Sequence, residues 1–536
     1  MSTAVPPEPD WDLSERPAAS GSGSHAAPRP DRSFRQTVLL TIAGTIIPGA
    51  GLIAARRHVA GLTILGLFLS AIVALGIYAG FDRQALLALA VNPEVLRGIG
   101  VALVIVALVW VGVIIATHLA LRGRVSQTQR ATGGVLVGIL AFAVAAPMAV
   151  ASIYSYEQAS LVGTVFKSED DSKSATRPTL NVPTNPDDPT PQDPWADKPR
   201  LNILLLGGDA DKGREGTRTD TVILASINTA TGNTTLFSLP RNTARMPFPK
   251  SSALHRYYPY GFTNGDGNNA EYFLNAMYRD LPLQVPKDVL GETDDLGADA
   301  LKLSVGEALG LKVDYYVLIN IQGFRRLVDA LGGIKININT YIPIGGNKDR
   351  NIPPAEQISP GKDKKLDGYQ ALWFARGRWG SDDYNRMDRQ RCVVNAIIRQ
   401  ANPANVLARY EDIAKAGKQI VQTDMPQEVL PLIVDLSLRV KEGNVRSIVF
   451  KPGSGSFVSA NPDFVDMRRR VKVAIGETKK IKSDTASPQP SPSGTATKKA
   501  SRPPVDTESE DVNASCAWQP EVAANARPFP GARTVT

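Results

Sequence analysis

The chain has 536 residues and a formal net charge of +8, long enough for more than one domain. Its Lys and Arg are spread along the chain, and no helix-turn-helix, zinc finger or RNP-type aromatic sheet is visible, which argues against nucleic acid as a partner. Two cysteines, Cys392 and Cys516, and four histidines, of which only His255 lies in the C-terminal half, argue against a zinc site and against Ser-His or Cys-His catalysis.

Residues 1–35 are rich in Pro, Ser, Gly and Ala and read as a disordered cytoplasmic tail, with no cleavable signal peptide. Residues 36–155 read as a membrane anchor built from apolar segments at 37–55, 59–81, 98–121 and 132–154. The last three reach the ~20 residues a span needs. Pro48-Gly49 breaks the centre of the first, which reads as a re-entrant or interfacial segment, with a short span as the alternative. The loop between the last two spans holds Arg122, Arg124 and Arg130 and no acid, so it is expected in the cytoplasm. The loop before it is balanced, with Asp82, Arg83, Glu94 and Arg97. The final span then runs outward, and everything beyond it is expected to be extracytoplasmic in a multi-pass protein of the cell membrane.

Residues 156–199, rich in Pro, Asp, Thr and Ser, read as an extended linker. Beyond it, short apolar or β-branched runs at 202–206, 221–228, 234–239, 314–320 and 334–338 read as strands. Helical patterns cover 301–309, 324–331 (ended by Gly332-Gly333), 366–376, 383–400, 404–417 and 427–438. Strands mixed with long helices imply an α/β domain over 200–475, an αβα sandwich with a mixed sheet. Residues 476–536 read as a Ser/Pro/Lys-rich tail with a more apolar patch around Cys516.

Three clusters can carry chemistry. Gly207-Gly208-Asp209 closes one strand and Arg218-Thr219-Asp220 opens the next, so adjacent strands bring Asp209 and Asp220 to one sheet edge. Two carboxylates with phosphate oxygens suit Mg²⁺, and Arg218 can hold a phosphate as a planar fork; a polar loop with surface ion pairs is the alternative. The strand ending at Leu239-Pro240 delivers Arg241 to the same edge. Arg376, Arg378, Asp383, Arg386, Arg389, Gln390 and Arg391 crowd into sixteen residues. Arg386 and Gln390 stack one turn apart beside the stripe Met387, Val394, Ile397 and Ile398, while Arg391 is expected on the solvated side. Arginines converging on a pocket point to a dianionic or pyrophosphate ligand; a helix salt-bridged by Asp382, Asp383 and Asp388 is the alternative.

Taken in order, the motifs Asn202 to Asp209, Arg218-Thr-Asp-Thr221, Ser238-Leu-Pro-Arg241, Leu274-Asn-Ala-Met-Tyr278, Phe324 to Gly333, Arg376-Gly-Arg378 and Asp383 through Gln390 resemble those of the LytR-CpsA-Psr family, the cell-wall glycopolymer ligases of mainly Gram-positive bacteria. The anchor looks like the multi-span kind of some actinobacterial members. The resemblance implies a phosphotransferase that moves a glycopolymer as a phosphosugar from an undecaprenyl-pyrophosphate carrier to peptidoglycan, assisted by Mg²⁺. It implies metal-site acids at Asp209 and Asp220, catalytic arginines at Arg218 and Arg241, and pyrophosphate or head-group contacts at Asn275, Arg376, Arg378, Arg386 and Gln390. It also implies an apolar tunnel for the lipid. Two positions depart from the family pattern: Asn242 stands where the family has an aspartate, and Phe273 where it has a lysine.

The competing functions are a polyprenyl pyrophosphate hydrolase using the same site and a non-enzymatic, membrane-tethered regulator of the cell wall. Cys392 and Cys516, both outside the cytoplasm by the loop-charge argument, are expected to form a disulfide that staples the tail to the core.

Overall fold

The computed structural model describes residues 33–535 apart from 82–88, 90, 124–125, 179–194, 196–197, 210–216, 349, 401–420 and 477–508. The expected N-terminal tail, the helix at 404–417 and most of the Ser/Pro/Lys-rich stretch therefore lie outside the described residues. The chain divides into two compact units, residues 1–73 with 106–146 and residues 74–105 with 147–536.

Among the described residues, three helices are long and apolar enough to cross a membrane: α3 (His58–Phe81), α4 (Pro93–Leu121) and α5 (Gln127–Val165). Leu67, Leu75, Val104, Leu108, Ile139 and Phe142 on them are exposed, an apolar surface too extensive to leave in water. The first apolar segment does not make a fourth such helix. Before α3, α1 (Phe34–Ile46) has 13 residues, and at ~1.5 Å per residue it covers only part of a ~30 Å hydrocarbon core. Pro48 and Gly49 follow; Gly49 adopts φ +95°, a left-handed value that suits glycine, and α2 (Ala50–Ala54) starts the return. Trp110 Nε1 of α4 donates to Thr45 O at 3.1 Å, and Thr41 Oγ1 lies 3.3 Å from His118 Nδ1. The segment is a short helical hairpin seated on α4.

The second unit departs from the expected linker. α5 continues past residue 155 to Val165, and residues 166–178 dock on the soluble domain. Ala175 N donates to Asp299 Oδ2 at 2.9 Å, and Ser174 Oγ donates to Asp299 and Asp424 at 2.8 and 3.1 Å. Both acids are buried and paired with Lys302. Buried carboxylates need donors, and the Ser/Thr-rich segment supplies them.

The strands are β1 (Arg200–Asp209), β2 (Arg218–Asn228), β3 (Thr234–Leu239), β4 (Tyr315–Asn320), β5 (Ile334–Ile338), β6 (Ile342–Ile344), β7 (Glu356–Ile358), β8 (Gly361–Leu366), β9 (Val421–Thr423), β10 (Val445–Val449), β11 (Glu510–Asp511) and β12 (Arg533–Val535). Seven of them form the central sheet in the order β11-β10-β3-β2-β1-β4-β9. The sheet is mixed: β1 runs antiparallel to β2 and parallel to β4. Its inner strands are near-continuous apolar runs because both faces are covered. On one face α6 (Leu274–Gln284), α7 (Leu296–Leu309) and α12 (Phe464–Ala474) close a core around Leu204, Leu224, Phe237 and Leu301. On the other lie α8 (Ile321–Ala330), α9 (Gly368–Arg376), α10 (Asp383–Gln400) and α11 (Leu430–Glu442), which bury Ile223, Leu236 and a second small core around Val328, Ile336 and Phe374. The fold is the αβα sandwich expected.

The tail is ordered where it meets this domain. β11 extends the sheet beside β10, Val512 is fully buried, and β12 pairs with β7. Cys516 is bonded to Cys392 of α10 with a Cα–Cα distance of 5.7 Å, inside the usual range for a disulfide. Residues 509–535 thus form a strap rather than a free tail. Its Phe529 packs on Gly380, whose φ of +71° and missing Cβ leave room for the ring.

Candidate functional site

The site begins with an irregularity between two strands. Gly207 pairs with Thr221 but Gly208 with Thr219, so Asp220 is the extra residue of a β-bulge. In a regular strand residues 220 and 221 would point to opposite faces. The bulge breaks that alternation. Thr219 and Val222 are buried, while Arg218, Asp220, Thr221 and Ile223 all line one cavity, the re-aiming that bulges provide beside functional sites. β1 ends at Asp209, whose Cα is paired with Arg218, so the backbones of both acids meet at one edge of the sheet. The side chain of Asp209 lies outside the described residues.

The cavity measures about 840 Å³. Arg218, Asp220, Arg241, Asn275, Arg376, Arg378, Arg386 and Gln390 all line it. The rest of its wall is largely apolar: Leu205, Ile223, Val317, Ile319, Phe324, Leu327, Leu372, Val394 and Ile397. One space therefore joins an arginine-rich part to a hydrophobic part.

Arg241 Nη1 donates to Asp220 Oδ1 at 2.8 Å, and Asn275 Nδ2 reaches the same oxygen at 3.4 Å. Burial pushes the Asp220 carboxyl up, but the charge and hydrogen bond of Arg241 outweigh it and hold the group below the usual carboxylate range. Asp383, first residue of α10, gathers three guanidinium groups: Arg386 at 3.0 Å, Arg241 at 3.5 Å and Arg378 at 3.8 Å. Arg386 is only 3% exposed, and its Nε is buried with no hydrogen-bond partner among the described residues. An orphaned buried N–H costs about 1–3 kcal/mol, and Arg391 and Arg470 each leave an Nε in the same state, so what sets Arg386 apart is its place on the cavity wall beside Arg241 and Arg378.

The remaining arginines divide by role. Arg376 stacks over the Trp373 ring at 5.2 Å, and Gln390 Nε2 donates to Ala375 O at 3.4 Å. Arg389 donates to Phe374 O at 2.6 Å and to Gly377 O, capping the C-terminus of α9 and fixing the loop that carries Arg376 and Arg378. Burial pulls its pKa down to about 10. Arg391 is not solvated as expected: it is buried against Ser447 Oγ at 2.7 Å and Glu510 at 2.8 Å, because β11 of the strap covers that side of α10. Sequence reasoning missed Arg279, which also lines the cavity, and Glu271, which it contacts. The one available signal was spacing: Arg279 lies four residues after Asn275 on α6, hence on the same face.

Among the described residues no three His, Cys, Asp or Glu side chains converge as a metal cage. Mg²⁺ does not require one, since it is commonly held by one or two carboxylates, water and substrate phosphates. Asp220 fits that role: both of its donors reach Oδ1, and among the described residues Oδ2 has none.

The fold and cavity define a class: an α/β domain that follows apolar helices and opens an arginine-rich pocket onto an apolar one. The LytR_cpsA_psr family model matches residues 156–472, and the chain belongs to that family. It is 31% identical over 250 residues to a polyisoprenyl-teichoic acid–peptidoglycan teichoic acid transferase, TagU, of Oceanobacillus iheyensis, a match covering 45% of this chain and 63% of that protein. It is 26% identical over 300 residues to biofilm regulatory protein A of Streptococcus mutans, covering 53% of this chain and 66% of that protein. The chain thus spans somewhat under two thirds of the length of these relatives. The crystal structure of Bacillus subtilis TagV aligns with a TM-score of 0.36 at 22% identity, over 52% of this chain and 97% of that one.

Proposed function

We propose that the protein transfers a glycopolymer from an undecaprenyl-pyrophosphate carrier to peptidoglycan, leaving a phosphodiester link in the cell wall. The observation that carries the reading is the convergence of Arg241, Arg378 and Arg386 on the polar part of a cavity whose remaining wall is largely apolar. A polyprenyl pyrophosphate has that same division. The relatives named as teichoic acid transferases support the glycopolymer and the acceptor.

Arg241, Arg378 and Arg386 bind the pyrophosphate and offset charge as it develops, which is most of what phosphoryl transfer asks of a protein. The apolar wall holds the polyprenyl chain and excludes water. An acceptor hydroxyl on peptidoglycan forms a bond to the glycan-side phosphorus, the bond from that phosphorus to the bridging oxygen breaks, and polyprenyl monophosphate leaves. The hydroxyl proton is released. Mg²⁺ held by Asp220, with Asp209 at the neighbouring strand end, supplies further charge neutralisation when bound. By loop charges the anchor is multi-pass and the domain extracytoplasmic, where both substrates lie.

The test incubates the full chain in detergent micelles with a polyprenyl-pyrophosphate-linked glycan and Mg²⁺, with and without peptidoglycan. Glycan transferred to peptidoglycan is the expected result. Phosphate release without transfer identifies a hydrolase, and neither product identifies a non-catalytic role.

A further inference from the structure

The cavity holds a second cluster of charge, in which Arg218 of the second motif meets two residues, Arg279 and Glu271, that none of the motifs above contains. Arg218 on β2 and Arg279 on α6 come from different elements, yet both donate to one carboxylate. Arg218 Nη2 lies 2.5 and 2.6 Å from the two oxygens of Glu271, and Arg279 Nη2 donates to Glu271 Oε2. Asp280 grips the other side of the Arg279 fork, accepting from Nε at 2.5 Å and from Nη2 at 2.8 Å, so the guanidinium is oriented. Glu271 itself is loosely held. Its side chain is 50% exposed and sits on the single 3-10 turn Ala270–Tyr272.

We propose that Arg218 and Arg279 form a second phosphate subsite of the cavity, and that Glu271 occupies it until a phosphate displaces the carboxylate. The inference rests on the pyrophosphate reading of the cavity. A carboxylate presents two oxygens to a guanidinium fork much as a phosphate does. The inner arginines close around Asp383, which begins a long helix, whereas Arg218 and Arg279 close around a residue on an exposed turn. The second carboxylate is the more exposed of the two, at 50% against 24%. Two guanidinium clusters then match the two phosphates of a pyrophosphate. Arg279 is a ligand contact, and Glu271 is a positioning residue that holds the Nη2 group of each arginine. The hydrogen bond from Arg218 keeps the Glu271 carboxyl below its ordinary range, so it competes in its charged form at neutral pH.

The test titrates the full chain in detergent micelles with inorganic pyrophosphate by calorimetry, alongside thermal melts. Glu271→Gln, which removes the competing charge, is expected to bind about threefold tighter or more, and Arg279→Ala about tenfold weaker, with Arg279→Lys between. A purely structural ion pair predicts the opposite sign for Glu271→Gln. Equal or weaker binding by Glu271→Gln at an unchanged melting temperature overturns the inference. Should that variant melt lower, Arg279→Ala decides: wild-type affinity overturns it, and loss supports it. Arg386→Ala separates the two readings. If it abolishes pyrophosphate binding while Glu271→Gln and Arg279→Ala match wild type, only the second subsite falls. If the wild type does not bind pyrophosphate, the donor reading falls with it.

Discussion

The two faces of the central sheet share strands but not purpose. On one, Leu204, Leu224 and Phe237 pack against Leu301 and Val305 with no solvent exposure. On the other, Leu205, Thr221 and Ile223 from the same strands border an 840 Å³ cavity. The divergence starts at the bulge that turns Asp220 and Thr221 to one side. Stability is concentrated where packing is complete, and binding where it is interrupted.

Substitutions that act on one face alone should separate stability from binding. Phe237→Ala, on the closed face, should cost about 3–5 kcal/mol of stability because it leaves a cavity in a filled core. Denaturant melts should show it, while pyrophosphate affinity of the folded fraction stays near wild type. Asp220→Ala, on the open face, should do the reverse. Transfer should fall by ~10²–10³, as for loss of one preorganised charge, while the melt moves by about 1 kcal/mol or less. Asp209→Ala, at the neighbouring strand end, should behave alike. Near wild-type transfer by both variants at low Mg²⁺ would remove these acids from the site.

A smaller effect is expected at the strap. Cys392 and Cys516 close a loop of 124 residues, so replacing both with Ser should cost about 2–4 kcal/mol. Val512, Glu510 and β12 also tie the strap down, so protease cutting after residue 509 should rise without loss of the domain. The smallest effect is in pH. The folded carboxyl of Asp220 lies below its unfolded value of 3.8, so its contribution is complete above that value and lost as pH falls through the folded one. Stability should be insensitive to Asp220 from pH 7 to 5, and Asp220→Asn should flatten only the acid limb below about pH 4.

Local signals were legible and long-range ones were not. The spans 234–239, 334–338 and 383–400 match β3, β5 and α10 to the residue, because β-branched runs and helical stripes act over a few positions. The meeting of Asp209 and Asp220 followed from strand ends alone. Arg391 was misplaced because its partners, Ser447 and Glu510, are far along the chain, and one lies beyond a stretch that reads as disorder. Residues 166–178 read as a tether because their polarity suits water. Nothing local showed that Asp299 and Asp424 were buried and in need of donors. Glu271 and Arg279 escaped for the same reason: neither is in a motif, and only the folded cavity brings them to Arg218.

On the proposed function, the arginine-rich and apolar parts of the cavity bind one ligand. The direct measurement compares the affinity of the full chain for a polyprenyl pyrophosphate with its affinity for inorganic pyrophosphate, in the wild type and in Arg386→Ala and Ile223→Trp variants. Arg386→Ala should weaken both ligands, and Ile223→Trp, which fills the apolar part, should weaken only the polyprenyl one. If Ile223→Trp binds the polyprenyl ligand as tightly as wild type while still folded, the lipid chain lies elsewhere and the claim is contradicted.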